Sequence, residues 1–259
     1  MSKWLGVTLF VCVMTGLYGC AGRAAERFTL EVDLPAGFSA LGDAIYTPAP
    51  GETCKLPKRT GKRPELKVFK AASKSVPNRV SFDVPLTESV DGCALVVREL
   101  VFALNASWGM RWSDIGRDYA IIYFRDNDEP WTSQMPESGV QELPGQCQWV
   151  FRTVGSAHAL IKGLRCRSLD GGGEITTKRP GGYVTRDTLA GRTLRMKLAL
   201  SEEESPAEGD SWISVPGGWK RCMGKNQDDV FGFCRGNVTD FKTFKMPDGR
   251  FCSVYPTCY

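Results

Sequence analysis

The chain has 259 residues, 42% hydrophobic and 24% charged, which is the balance of a globular protein and excludes disorder as a whole-chain reading. Lys3 is the one charge among the first twenty residues, so without them the formal net charge falls from +4 to +3, too mild to argue for nucleic acid or an anionic membrane surface as partner. A single histidine, His158, makes a metal centre a poor reading, and no cofactor or metal is expected.

The chain starts with a charged Met1-Ser2-Lys3-Trp4, continues through an apolar run from Leu5 to Met14, and ends in small residues around Gly16 and Gly19. That order is a secretory signal, and its apolar run is shorter than the roughly 20 residues that cross a bilayer. Leu17-Tyr18-Gly19-Cys20 resembles the lipobox of bacterial lipoprotein precursors, although Tyr18 stands where that family has a small or β-branched residue. The resemblance implies cleavage after residue 19, lipid on Cys20, acyl chains on the new amino group, and a protein facing the periplasm. Several acyl chains anchor firmly where one does not, at about 0.8 kcal/mol per buried CH₂. Ala21 in place of Asp points to the outer membrane under the sorting pattern that the resemblance brings. The other reading of this stretch is an ordinary signal cut near Ala24-Ala25, which releases a soluble protein.

Cys12 leaves with the signal and Cys20 carries lipid. Eight cysteines remain: Cys54, Cys93, Cys147, Cys166, Cys222, Cys234, Cys252 and Cys258. An even set in an exported chain reads as four disulfides. Proximity suggests Cys54 with Cys93 and Cys147 with Cys166, with the last four pairing among themselves.

Residues 27–34 alternate polar and apolar, the period of a half-buried strand. A second strand is expected around 43–47. Residues 48–64 are rich in Pro, Gly, Lys and Arg, and the cluster Lys55, Lys58, Arg59, Lys62 and Arg63 reads as a solvated loop. Residues 80–86 alternate again, and Pro85, which cannot donate to a ladder, puts that strand at an edge or ends it. Residues 93–104 read as a buried strand, with a helix as the alternative, and 119–124 as another strand. Residues 126–146 are acidic and aperiodic, and the domain boundary is placed there. Beyond it, 146–151 and 160–166 look like two strands, 194–200 alternates cleanly, 201–210 is a solvated loop, and 240–254 reads as a hairpin about Pro247-Asp248-Gly249. A short helix is the alternative at 95–104 and at 156–163. The expected class is mainly β, as two disulfide-braced β-sandwich-like units: a signal at 1–19, an anchor and short linker at 20–26, an N-terminal β domain at 27–126, a linker at 127–146 and a C-terminal β domain at 147–259.

Signals for catalysis are weak. His158, the one imidazole, reads as a surface or packing residue beside a turn, and no G-x-S-x-G elbow occurs. Gly171-Gly172-Gly173 and Pro180-Gly181-Gly182 read as loops and not as phosphate cradles. The chain is therefore not expected to be an enzyme. Trp108, Trp112 and Trp131 fall in loop-like surroundings; exposed they would be interface anchors, and area burial favours the alternative that they cap the sheet core.

Pro50-Gly51-Glu52-Thr53-Cys54, then Val80 to Leu86, then Gly92-Cys93 and an apolar strand resemble small bacterial lipoproteins that serve as immunity partners of type VI secretion effectors, lipases among them. The resemblance covers roughly residues 40–105. It implies a protein that binds a secreted toxin in the periplasm and occludes its active site, with loops 48–64, 106–117 and 126–146 as candidate contacts. The protein would meet the membrane through its lipid. No nucleic acid or small-molecule substrate is implied. An envelope assembly lipoprotein and an anchored hydrolase are the other two classes.

Overall fold

The computed structural model describes residues 26–56, 65–127, 135–208, 211–224, 234 and 239–259. Cys20, Trp131 and most of the basic cluster at 55–63 lie outside these. Alternation sets the first strand. In β1 (Arg27–Leu34) Phe28, Leu30, Val32 and Leu34 turn inward, and Arg27, Thr29, Glu31 and Asp33 turn outward. There follow β2 (Phe38–Pro48), β3 (Leu66–Ala71), β4 (Asn78–Pro85), β5 (Thr87–Val90), β6 (Cys93–Ser107) and β7 (Ile115–Arg125). The rest of the chain supplies β8 (Val140–Val154), β9 (Ala159–Ser168), β10 (Gly181–Thr185), a 3₁₀ turn (Arg186–Thr188), β11 (Thr193–Leu200) and β12 (Ser205–Pro206). Last come β13 (Trp212–Val215), β14 (Gly218–Arg221), β15 (Phe244–Lys245), β16 (Phe251–Cys252) and β17 (Tyr255–Pro256). The class is mainly β, as the sequence suggests.

Two sheets face each other. One has eight strands, in the order β16-β15-β9-β8-β11-β1-β4 with β12 beside β8. The other has six, in the order β10-β7-β6-β2-β3 with β5 beside β6. Their inner faces share one core: Phe28 meets Phe124 at 5.5 Å, and the buried Tyr46 hydroxyl crosses to donate to the Pro85 carbonyl at 2.8 Å. Burial holds the Tyr46 phenol protonated, well above its ordinary range. Each fully buried Phe or Leu here contributes about 1.5–3 kcal/mol. A three-stranded sheet, β13-β14-β17, closes a second, aromatic core over one end of the large sheet, where Phe151 packs edge-on against Trp212 at 5.0 Å. β8 runs through both cores, with Cys147 in the first and Phe151 in the second.

Strands from both sides of the expected 127–146 boundary share sheets. β1 pairs in parallel with β11, and β10 pairs in parallel with β7, so the stretches 27–126 and 147–259 interlock. Part of the expected linker, from Val140 onward, is strand: its outward and inward residues alternate from Gln141 to Cys147 in register with β11. Residues 95–104 are strand, not helix, and 156–163 is a turn followed by β9. Gly181 opens a strand where a loop is expected. It has φ +109°, and its missing side chain lets the backbone lie against Ile121. Pro85 closes β4, which is an edge strand.

The cysteines pair Cys54–Cys93, Cys147–Cys166, Cys222–Cys234 and Cys252–Cys258. The first two are the pairs that proximity suggests.

Candidate binding face

The outer faces of the two large sheets differ in chemistry. That of the eight-stranded sheet is an ion-pair lattice. Arg27 meets Asp83, Arg79 meets Asp33 at 2.6 Å, Arg195 meets Glu31 at 2.6 Å, and Lys197 meets Glu142 at 3.2 Å. Arg79 holds the Asp33 carboxyl below its ordinary range, chiefly through their hydrogen bond. Such exposed pairs set register and solubility more than stability.

The outer face of the six-stranded sheet is apolar and aromatic. Alternation in β7 buries Ala120, Ile122 and Phe124 and leaves Tyr119, Ile121 and Tyr123 outside. Register then aligns rows across the sheet. Leu41 lies beside Ala103 and Tyr119, Val68 and Asp43 lie beside Val101 and Ile121, and Ile45 lies beside Glu99, Tyr123 and Tyr183. Tyr123 and Tyr183 stack at 5.2 Å. Arginines frame the patch: the Arg125 guanidinium lies 5.8 Å from the Tyr123 ring and 5.3 Å from that of Tyr183, and Arg179 lies 5.6 Å from Tyr119. Arg117 donates to Asn105 at 2.8 Å. An antiparallel strand apolar on both faces is the pattern of a sheet that is covered on both sides.

Beyond a polar row of Ser39, Asn105 and Arg117, the same side of β7 leads to the β6–β7 hairpin tip, at 108–114. Met110 is fully exposed and Trp112 is 91% exposed, with Ile115 half exposed below them. The tip is braced. Asp114, itself buried, accepts from the Arg111 amide at 3.1 Å, the Trp108 amide donates to the Asp114 carbonyl at 3.0 Å, and Arg111 donates across to the Pro247 carbonyl at 3.0 Å. Trp112 therefore does not cap the core, contrary to the area-burial expectation, while Trp108 is partly buried.

The three expected contact loops do not converge. β2 runs antiparallel to β6, and β7 runs back along β6, so the chain after Pro48 and the chain after Arg125 leave at one end of the sheet, while 106–117 lies at the other. Cys93 ties Cys54 to the first end. No family model, curated protein or solved structure matches this chain. The chemistry of the face must therefore carry the functional argument.

His158 sits in the turn between β8 and β9, with its carbonyl accepting from the Lys245 amide at 3.0 Å. Partial burial, with Arg221 and Lys242 nearby, keeps its imidazole below the usual histidine range. Among the described residues, no group of three or more His, Cys, Asp or Glu is placed to hold a metal. Sequence reading located Trp112 but missed Tyr119, Tyr123, Tyr183, Leu41 and Val101. The available signal was the unbroken apolar run at 119–124, which has too few polar residues for a strand with one wet face.

Proposed function

We propose that the chain is a periplasm-facing lipoprotein, anchored through Cys20, that binds and neutralises a secreted antibacterial toxin of the type VI effector class, with a membrane-attacking lipase as leading partner. The observation that carries the binding half of this reading is the outward aromatic patch of Tyr119, Tyr123 and Tyr183, with the exposed Trp112 beyond it at the hairpin tip. Large rigid aromatics framed by arginines are the groups that dominate interface energy, and an exposed apolar face on a disulfide-braced sheet presents them at low ordering cost. The arginine frame suits a partner surface with carboxylates around an apolar centre. The anchor and the inhibitory role rest on the lipobox and immunity resemblances.

The test is protection of a toxin-exposed cell. Deleting the gene should sensitise cells to an effector of their siblings, and restoring the wild-type chain should rescue them. Trp112→Ala with Tyr123→Ala should rescue poorly and weaken binding by about 2 kcal/mol or more per hot spot, with folding intact by circular dichroism. Full resistance of the deletion strain to every sibling effector sinks the reading.

A further inference from the structure

The ion-pair lattice of the large sheet breaks down at β9. Arg165 and Arg167, on the outward side of that strand, meet Arg179 from the following loop in a cleft of about 480 Å³. A second cleft, of about 420 Å³, shares Arg165, Arg167 and Thr177 and extends past Gln146, Gln148 and Ser201. Register explains the arrangement: Gln146 lies opposite Arg167 and Gln148 opposite Arg165.

Among the described residues one carboxylate, Asp118, lines this cleft; Arg167 and Arg179 face it, while Arg165 donates to the Ala207 carbonyl at 2.8 Å. The Asp118 oxygens already accept from the Cys166 amide at 2.6 Å and the Tyr119 amide at 2.8 Å. Arg167 and Arg179 approach it only to 3.5 Å and 3.6 Å, which is ion-pair range but beyond good hydrogen-bond length. The cleft thus holds two positive charges in excess. Elsewhere on this face Arg27, Arg79, Arg195 and Lys197 each meet a carboxylate. The groove is also preformed. The loop carrying Arg179 is tied to β9 by Ser168 to Lys178 and Thr176 to Ser168 backbone bonds of 2.9 Å each, and β9 is stapled to β8 through Cys166.

We propose that this groove binds a phosphate monoester carried on a hydroxylated scaffold. Two excess charges match a phosphate dianion, and guanidinium forks match its oxygens. The amides of Gln146 and Gln148 and the hydroxyl of Ser201 line the adjoining cleft, where they meet the hydroxyls of the scaffold. A lipid headgroup and a soluble sugar phosphate share this chemistry. The inference does not rest on toxin binding, although Arg179 borders both the groove and the aromatic face.

The test is isothermal titration of the full chain with inorganic phosphate, glucose 6-phosphate and 1-hexanoyl lysophosphatidic acid, a lipid phosphate monoester whose glycerol keeps a free hydroxyl. At least one of the two esters should bind more tightly than inorganic phosphate. The tighter of the two identifies the source, lipid or sugar. Arg167→Gln and Arg179→Gln should each weaken binding about tenfold. Asp118→Asn, which keeps an acceptor for the Cys166 amide but removes the competing charge, should tighten it several-fold, a gain that misfolding cannot mimic. Absence of binding by all three probes at about 10 mM overturns the proposal. So does binding that the two arginine variants leave unchanged, or an inorganic phosphate affinity equal to that of both esters.

Discussion

His158 shows how one residue can be placed by backbone and tuned by its neighbours. It sits in the left-handed region at φ +47°, in the turn that reverses β8 into β9. Partial burial first, then the positive charges of Arg221 and Lys242, depress its pKa. The folded state therefore binds fewer protons at this site than the unfolded chain. Its contribution to stability is complete above the unfolded value, about 6.5, and is lost as pH falls through the folded one. The melting temperature should drop between pH 7.5 and 5.5 by more in the wild type than in His158→Asn, since Asn tolerates the positive φ and does not titrate. Equal drops in the two proteins would remove His158 as the cause. The same cationic surroundings, Arg221 and Lys242, favour the neutral ring and fit the packing role expected of it.

At the scale of elements, β8 and β9 show what sequence can and cannot reveal. Cys147 and Cys166 are opposed in register, with Cα atoms 3.9 Å apart and 19 residues between them along the chain. Closing a loop of that size in the unfolded chain contributes about 3 kcal/mol, against about 2 kcal/mol for the six-residue separation of Cys252 and Cys258. Replacing Cys147 and Cys166 with Ala should therefore cost more in denaturant unfolding than replacing Cys252 and Cys258, and the reverse order would refute the loop-closure account. This hairpin was legible because its partners are neighbours in sequence and its apolar residues alternate, as in β1 and β11. β10 was not legible. Gly181-Gly182 looks like a loop, and only a parallel partner 60 residues earlier, Ile121-Ile122, makes it a strand. The short β17 was hidden for the same reason, since its partner β14 lies far earlier in the chain, whereas β13 and β14 form a local hairpin about Pro216-Gly217 whose strands are too short to show a period. For the candidate face, Trp112 could be picked out because tryptophan in a loop is conspicuous, whereas Leu41, Val101 and Tyr183 become one patch only through cross-strand register.

The whole molecule is governed by how its two halves interlock. β1 supplies Phe28, Leu30, Val32 and Leu34 to the common core, yet its neighbours are β4 from the N-terminal half and β11 from the C-terminal half. Removing residues 27–126 would leave β11 as an edge strand held only by its parallel pairing to β8, with Leu194, Met196 and Leu198 facing water. Removing 140–259 would strip β11 from β1 and β10 from β7 and uncover the same core from the other side. A core shared in this way gives neither half enough buried apolar area to offset its chain entropy. The intact chain should therefore unfold in one transition for the main core, coincident by far-ultraviolet circular dichroism and tryptophan fluorescence. Fragments divided between residues 127 and 139 should lack cooperative transitions when refolded separately and regain one when refolded together under oxidising conditions. A cooperative transition from either fragment alone would show that the parallel β1–β11 pairing is dispensable, and that the six-stranded face could be presented to a partner without the rest of the chain.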